Sequence, residues 1–272
     1  MPIDFNQQII DEFRANQGQV GGPFEGARLL LLTTVGAKSG ARRTTPLGYL
    51  PDGDRVLVIA SAGGSPRHPA WYHNLLADPE VTVEDGVFTY PATAVVLEGE
   101  ERDHMFARAV EADPGWGAYQ DRAGRILPVV ALVARDAGPP AGPLGDALKK
   151  VHDAFRRELA LIRGEVAASG SRLGAQLRVN CLTLCQGLHV HHAREDGFMF
   201  PALGGRHPEL APALERLRAE HEVVQELLDR LRAVLADGDL APQMLLAEVN
   251  RLTEELEAHL DYEEEQLMPL LG

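Results

Sequence analysis

Residues 189–195 read HVHHARE: three histidines and a glutamate in seven positions, on a stretch whose flanks have a helical pattern. Taking His191 as origin at about 100° per residue, Leu184 falls near 20°, Glu195 near 40° and Leu188 near 60°. His191 and Glu195 therefore share the apolar stripe that turns toward a core. His192 sits on the flank of that stripe, about 100° round, as a supporting group or an occasional ligand. His189 lies at about 160° and points away, toward solvent or a neighbouring domain.

Working outward, four helical segments are expected, over about 144–168, 172–200, 209–236 and 241–269, broken by ASGS, LGGRHP and DGD. Each carries one apolar stripe at spacings of three and four. The first holds Leu148, His152, Phe155 and Leu159, and the second Leu184, Leu188, His191, Glu195 and Phe198. The third holds Leu217, His221, Val224 and Leu228, and the fourth Leu256, His259, Glu263 and Leu267. A histidine thus interrupts every stripe, and two stripes add a glutamate one turn later. An ionised carboxylate cannot be buried without a partner, so the pattern calls for a cation; a purely structural polar layer is the alternative. In an up-down-up-down four-helix bundle with short loops these positions fall at one height. Imidazole and carboxylate without thiolate fit iron or manganese, and zinc less well. Six ligands are too many for one tetrahedral zinc and suit two metals bridged by Glu195 and Glu263, with open positions for a small molecule.

This half resembles the hemerythrin-like proteins of the HHE cation-binding type. The residues that carry the resemblance are His152, HHAREDGFMFP with His191 and Glu195, the EH pair with His221, and HLDYEEEQLMP with His259 and Glu263. It implies a centre of two non-haem iron ions that meets or senses O2, NO or peroxide. In one respect the chain departs from the oxygen carriers. They have a second histidine one turn beyond the third-helix histidine, where this sequence has Gln225.

The first ~130 residues follow a different period. ARLLLLTTV is a β-rich apolar run, and TTPLGYL and RVLVIAS flank the turn PDGD as a hairpin. VTVEDGVFTYPATAVVL repeats that pattern, and ILPVVALVA closes the region. Five to six strands with helices near 4–16, 69–77 and 100–112 predict a small α+β barrel. The Pro/Gly/Ala stretch ARDAGPPAGP then marks a linker. The expected organisation is a barrel domain over 1–133, a linker over 134–143 and the bundle over 144–272.

Net charge is −14 over 272 residues and is shared by both halves, which disfavours nucleic acid as a partner. No apolar run is long enough to span a membrane, and MPIDFNQQII has no signal-peptide pattern, so a cytoplasmic location is expected. Cys181 and Cys185, four apart, are read as reduced, half-buried packing residues, with a redox or ligand role as the alternative. Against the acidic background stands the loop GAKSGARRTTP, with Lys38, Arg42 and Arg43. Glycines let backbone approach an anion and the cations supply charge, so the loop is a phosphate site or a solvated turn.

From LLTTVGAKSGARRTTPLGYL to YQDRAGRILPVVAL, roughly residues 5–133, the chain resembles the deazaflavin-dependent nitroreductase family of split β-barrels. The resemblance implies use of reduced coenzyme F-420, an 8-hydroxy-5-deazaflavin with an anionic tail; flavin mononucleotide is the alternative. It assigns the tail to Lys38, Arg42 and Arg43, the approach to Thr44 and Pro46, and the ring to Ala60, Ser61 and Gly63. Trp116 and Tyr119 match the family's substrate-side aromatics. Tyr119 is then either a proton donor or a core aromatic, whereas Ala62 replaces a lysine of some members. Trp71, Tyr72 and Asn74 read as scaffold, and His68, His73 and His104 as surface residues. The implied protein is an oxidoreductase that reduces quinones or nitro compounds, fused to a di-iron bundle and homodimeric as split barrels usually are. The alternative is a sensor or binding protein for redox state, oxygen or iron, without turnover; a third reading is a metal-free bundle that serves for dimerisation.

Overall fold

A computed structural model describes residues 3–135, 143–169, 174–236 and 242–271. It divides into two units, Met1–Pro139 and Pro140–Gly272. Most of the expected linker lies outside the described residues.

The first unit is a closed antiparallel barrel. Its strand order is β1 (Leu29–Val35), β2 (Arg42–Asp52), β3 (Arg55–Ile59), β6 (Val129–Ala134), β5 (Thr89–Val96) and β4 (Glu80–Glu84), returning to β1. Apolar runs form two of these strands because both of their faces are covered. Leu30 and Leu32 point into the barrel with Val58 and Val130. Leu29 and Leu31 instead meet Ile9 and Phe13 of α1 (Ile3–Ala15). In β6 likewise, Val130 and Leu132 face inward, while Val129 and Ala131 pack with Phe106 of α3 (Gly99–Ala112). The expected hairpins form. Asp52 opposes Arg55, which leaves Gly53 and Asp54 as the turn, with Gly53 at φ +68°. Between β4 and β5, the Asp85 carboxylate accepts the N–H groups of Val87 and Phe88, both at 2.8 Å. A short helix, α2 (Ala70–Ala77), follows β3, and a nine-residue helix absent from the sequence reading, α4 (Gly115–Ala123), precedes β6.

The second unit is a bundle of α5 (Leu144–Ala168), α6 (Ala175–Arg194), α8 (Ala211–Ala236) and α9 (Pro242–Leu267). The second segment does not stop at 200. After α6 the chain makes a π-helical turn over Glu195–Met199 and continues as α7 (Phe200–Arg206), so LGGR is helical and the break begins at His207. Two apolar clusters fill the bundle. One contains Leu159, Leu184, Leu188, Val224 and Leu256, the other Leu148, Phe200, Leu217 and Leu267. On every helix the histidine falls between a residue of one cluster and a residue of the other, so the polar layer separates two oily ones.

Candidate functional site

In that layer the structure brings together five imidazoles and two carboxylates in two groups. His152, His191, Glu195 and Glu263 form one, and His192, His221 and His259 the other; within each, one donor atom per residue lies within 4.8 Å of all the rest. The two glutamates reach across. Glu195 places Oε1 at 3.1 Å from His191 Nε2 and Oε2 at 3.5 Å from His221 Nε2. Glu263 Oε2 is 3.5 Å from His152 Nε2 and 3.8 Å from His259 Nε2. Each carboxylate therefore spans one histidine of each group.

All six residues read from the stripes are here, together with His192, which the angular reading had left on the flank. Its ring stacks on His221, with centroids 4.2 Å apart and planes 12° apart. Two groups of donors are wider than one helical stripe, so a residue one step round α6 reaches the second group. Gln225 is turned away, and its Oε1 accepts from His189 Nδ1 at 2.9 Å. The other difference is Phe198. It is 77% exposed, and Phe200 is fully buried in its place, stacked 5.4 Å from His221. The cause is the π-helical turn, in which the Phe200 N–H bonds Glu195 O, so one extra residue shifts everything beyond Glu195 out of the stripe.

The donors suit metal ions on structural grounds. Nε2 of His152, His191, His192, His221 and His259, and all four carboxylate oxygens of Glu195 and Glu263, are buried without a hydrogen bond. Buried polar atoms are rarely left unpaired, and here the orphans converge. Burial pushes the imidazole of His152 down to about 3 and that of His259 to about 4, so near neutral pH both rings are uncharged with a lone pair available. Burial also pushes both Glu195 and Glu263 up, which means that each needs a proton or a cation to stay inside. On the outer side of the layer, Glu264 Oε1 lies 3.0 Å from His152 Nδ1, and Glu220 Oε2 lies 3.0 Å from His259 Nδ1. Asp196 Oδ1 is 3.0 Å from His221 Nδ1 but out of line for a hydrogen bond. The sequence carries the signals EH at 220–221 and EEE at 263–265, in which an outer carboxylate adjoins an inward-facing residue; the stripe alone singles out only the inward one. Cys181 and Cys185 form no disulfide and are fully buried in the bundle core rather than half-buried, and burial pushes the Cys185 thiol up to about 11.

In the barrel the basic loop joins β1 to β2, and Lys38, Arg42 and Arg43 are exposed. Arg42 donates to Thr82 Oγ1 at 3.0 Å, and the Thr44 hydroxyl meets that of Thr33 at 2.8 Å. Pro46 follows on β2 opposite Leu31. Asn74, nearly buried on α2, fixes the loop: its Nδ2 donates to Thr34 Oγ1 at 3.0 Å and its Oδ1 accepts the Ala37 N–H at 3.1 Å. Beyond β3, Ala60 is buried, and Ala62 and Gly63 both take positive φ, +49° and +62°. The first of these is a strained conformation for a side chain. Arg125 ties this segment down through Ala60 O at 3.0 Å and Arg67 O at 3.2 Å. Trp116 and Tyr119 lie on α4, with ring centroids 6.0 Å apart, half-buried against the α3 side of the barrel. Arg122 of the same helix donates to Gly63 O at 3.4 Å, which brings the aromatic pair and the Ala60–Gly63 segment to one end of the unit. Trp71 is buried in the barrel core. His68 is partly buried rather than on the open surface, its ring 4.9 Å from that of Tyr72 and tilted 38° to it.

Residues 6–134 match the family model described as F420H(2)-dependent quinone reductase, and residues 144–271 match that of the hemerythrin HHE cation binding domain. An F420H(2)-dependent quinone reductase of Mycobacterium tuberculosis is 39% identical over 127 residues, covering 45% of this chain and 85% of that protein. The chain belongs to the F420H(2)-dependent quinone reductase family. Its bundle is the family member's second, hemerythrin-type domain. Among solved structures, one described as an F420-H2 dependent reductase is 44% identical, with a TM-score of 0.36, over 39% of this chain and 93% of that one. Another, described as a domain-swapped dimer, is 39% identical with a TM-score of 0.38, over 48% and 96%. Among the described residues no helix is long and apolar enough to cross a membrane.

Proposed function

We propose that the chain is an oxidoreductase whose barrel binds reduced coenzyme F-420 and passes its hydride to a quinone, while its bundle holds two iron ions. Membership of the quinone reductase family is the observation that carries this reading; the nine orphaned donor atoms support its second half. When bound, the deazaflavin supplies a hydride, and the task left to the protein is to orient donor and acceptor. Lys38, Arg42 and Arg43 hold the anionic tail, on a loop that Asn74 fastens to β1. Thr44 and Pro46 line the approach, and Ala60, Ser61 and Gly63 sit against the ring. Trp116 and Tyr119 face the acceptor, and Tyr119 gives a proton to the reduced quinone oxygen.

In the bundle, His152 and His191 hold one iron, and His192, His221 and His259 the other. Glu195 and Glu263, each reaching a histidine of both groups, would complete the ligand set, and the pair would react with O2, NO or peroxide. Seven ligands replace the six read from the sequence. When bound, an iron pair supplies one-electron chemistry toward such molecules. Anaerobic mixing of the protein with reduced coenzyme F-420 and menadione tests the reductase. Catalytic loss of the reduced coenzyme is expected, whereas binding without consumption would leave a sensor. Metal analysis of the same preparation should find about two irons per chain.

A further inference from the structure

Two carboxylates outside the ligand set form matching chains, one for each metal position. On one side His152 Nδ1 meets Glu264 Oε1 at 3.0 Å, and that oxygen also takes Arg156 at 2.8 Å. On the other, His259 Nδ1 meets Glu220 Oε2 at 3.0 Å, while Glu220 Oε1 takes Arg216 at 2.7 Å. Both arginines are held in turn. Arg156 donates to Asp261 at 2.7 Å, and Arg216 lies 3.7 Å over the Tyr262 ring. His152 and His259 belong to different groups of donors, so each group has one imidazole backed in this way. Both links also cross between helices. Glu264 on α9 reaches His152 on α5, and Glu220 on α8 reaches His259 on α9, each carboxylate being the sequence neighbour of an inward-facing residue, Glu263 or His221.

We propose that Glu220 and Glu264 are positioning residues of the metal centre, which fix His152 and His259 as Nδ1–H tautomers with Nε2 toward the metal and lower the centre's reduction potential. This rests on the metal reading above. The carboxylate accepts the ring N–H and so leaves the inner nitrogen unprotonated; its charge makes the imidazole a stronger donor, which favours the more highly charged metal state. The arginines hold each carboxylate in line with its ring. Nothing in this arrangement depends on a third group, since Asp196 beside His221 is not aligned for a hydrogen bond.

The test uses the full chain loaded with ferrous iron. In Glu220→Gln and Glu264→Gln the amide oxygen still accepts the ring N–H, so shape and spacing persist and only the charge is lost. Each variant should bind ferrous iron roughly 10- to 100-fold more weakly in a chelator competition. The midpoint potential of the loaded centre should also move positive, and further in the double variant. Glu254→Gln, which removes an exposed charge on α9, should change neither. A variant that circular dichroism shows to be unfolded is replaced by Glu220→Asp or Glu264→Asp, which withdraws the same carboxylate from its ring by one methylene and should move the potential in the same direction, less far. Wild-type affinity and potential in the variants would overturn the inference. A wild-type chain that takes up no iron would instead remove the metal reading on which it stands.

Discussion

His192 and its neighbours show how one position decides a role. His189, His191 and His192 share a short run of sequence, yet they face a glutamine on the surface, one donor group and the other donor group. His191→Ala and His192→Ala should each lower bound metal by about half, since each removes a donor from one position only. His189→Ala should leave the content unchanged; equal losses from all three, read by metal analysis, would break the assignment. His191 was legible because it lies on the stripe, and His192 was not, because a stripe is a line and two bridged cations have width. On the barrel, Arg42→Ala or Arg43→Ala should weaken coenzyme F-420 by about tenfold, equal to ~1.4 kcal/mol. Because both arginines are exposed, the effect should shrink as salt is raised, which fluorescence titration at two ionic strengths would show.

At the scale of the element, the π-helical turn places the end of the second segment. Phe200→Ala would empty the place beside His221 that this turn gives to the ring. A loss of about 3 kcal/mol or more is expected, read as a lower melting temperature of the loaded protein. Gly197→Ala is the control, since a Cβ there meets nothing within 4 Å. The β4–β5 turn makes a similar point. Gly86 stands at φ +95°, and a Cβ there would lie 2.6 Å from Gln17 O, so Gly86→Ala should cost about 1–3 kcal/mol by denaturant melting. The two hairpins and the four long helices were legible because their signals are local: Asp-Gly turns, two-residue alternation, and apolar residues at threes and fours. The extra residue at 195–199 leaves no such mark. Neither does α4, whose nine residues include Gly115 and Gly117 and show little amphipathic period.

For the molecule as a whole, the metal layer ties stability to pH. His152 and His259 are pushed below the ordinary histidine value, and burial lowers His191, His192 and His221 as well. These rings take up protons only on unfolding, so their contribution is complete above the unfolded value near 6.5 and is lost as pH falls from there toward 4. Glu195 and Glu263 are raised, and their contribution runs the other way, present below the unfolded value near 4.5 and lost as pH rises past it. With five imidazoles against two carboxyls, the metal-free bundle should be most stable near neutral pH. Its melting temperature should fall steeply toward pH 5 and more gently on the alkaline side. Loading with iron should abolish the alkaline decline, since a cation keeps both carboxylates ionised inside; an unchanged slope in calorimetry would contradict this. The division into barrel and bundle was legible from the change of period alone, because sheets and helices repeat at two and at 3.6 residues.

His191 and His192 are consecutive, and each serves a different donor group. The distance between two cations held there would therefore be tied on one side to a single peptide step, a covalent length that no loop movement can stretch. A metal of larger or smaller radius must then be accommodated by swinging of Glu195 and Glu263, the long side chains of the set. Exchange of iron for manganese or zinc should register in the carboxylate vibrations more than in those of the imidazoles. The helix here acts as a ruler, and the glutamates as its adjustable jaws.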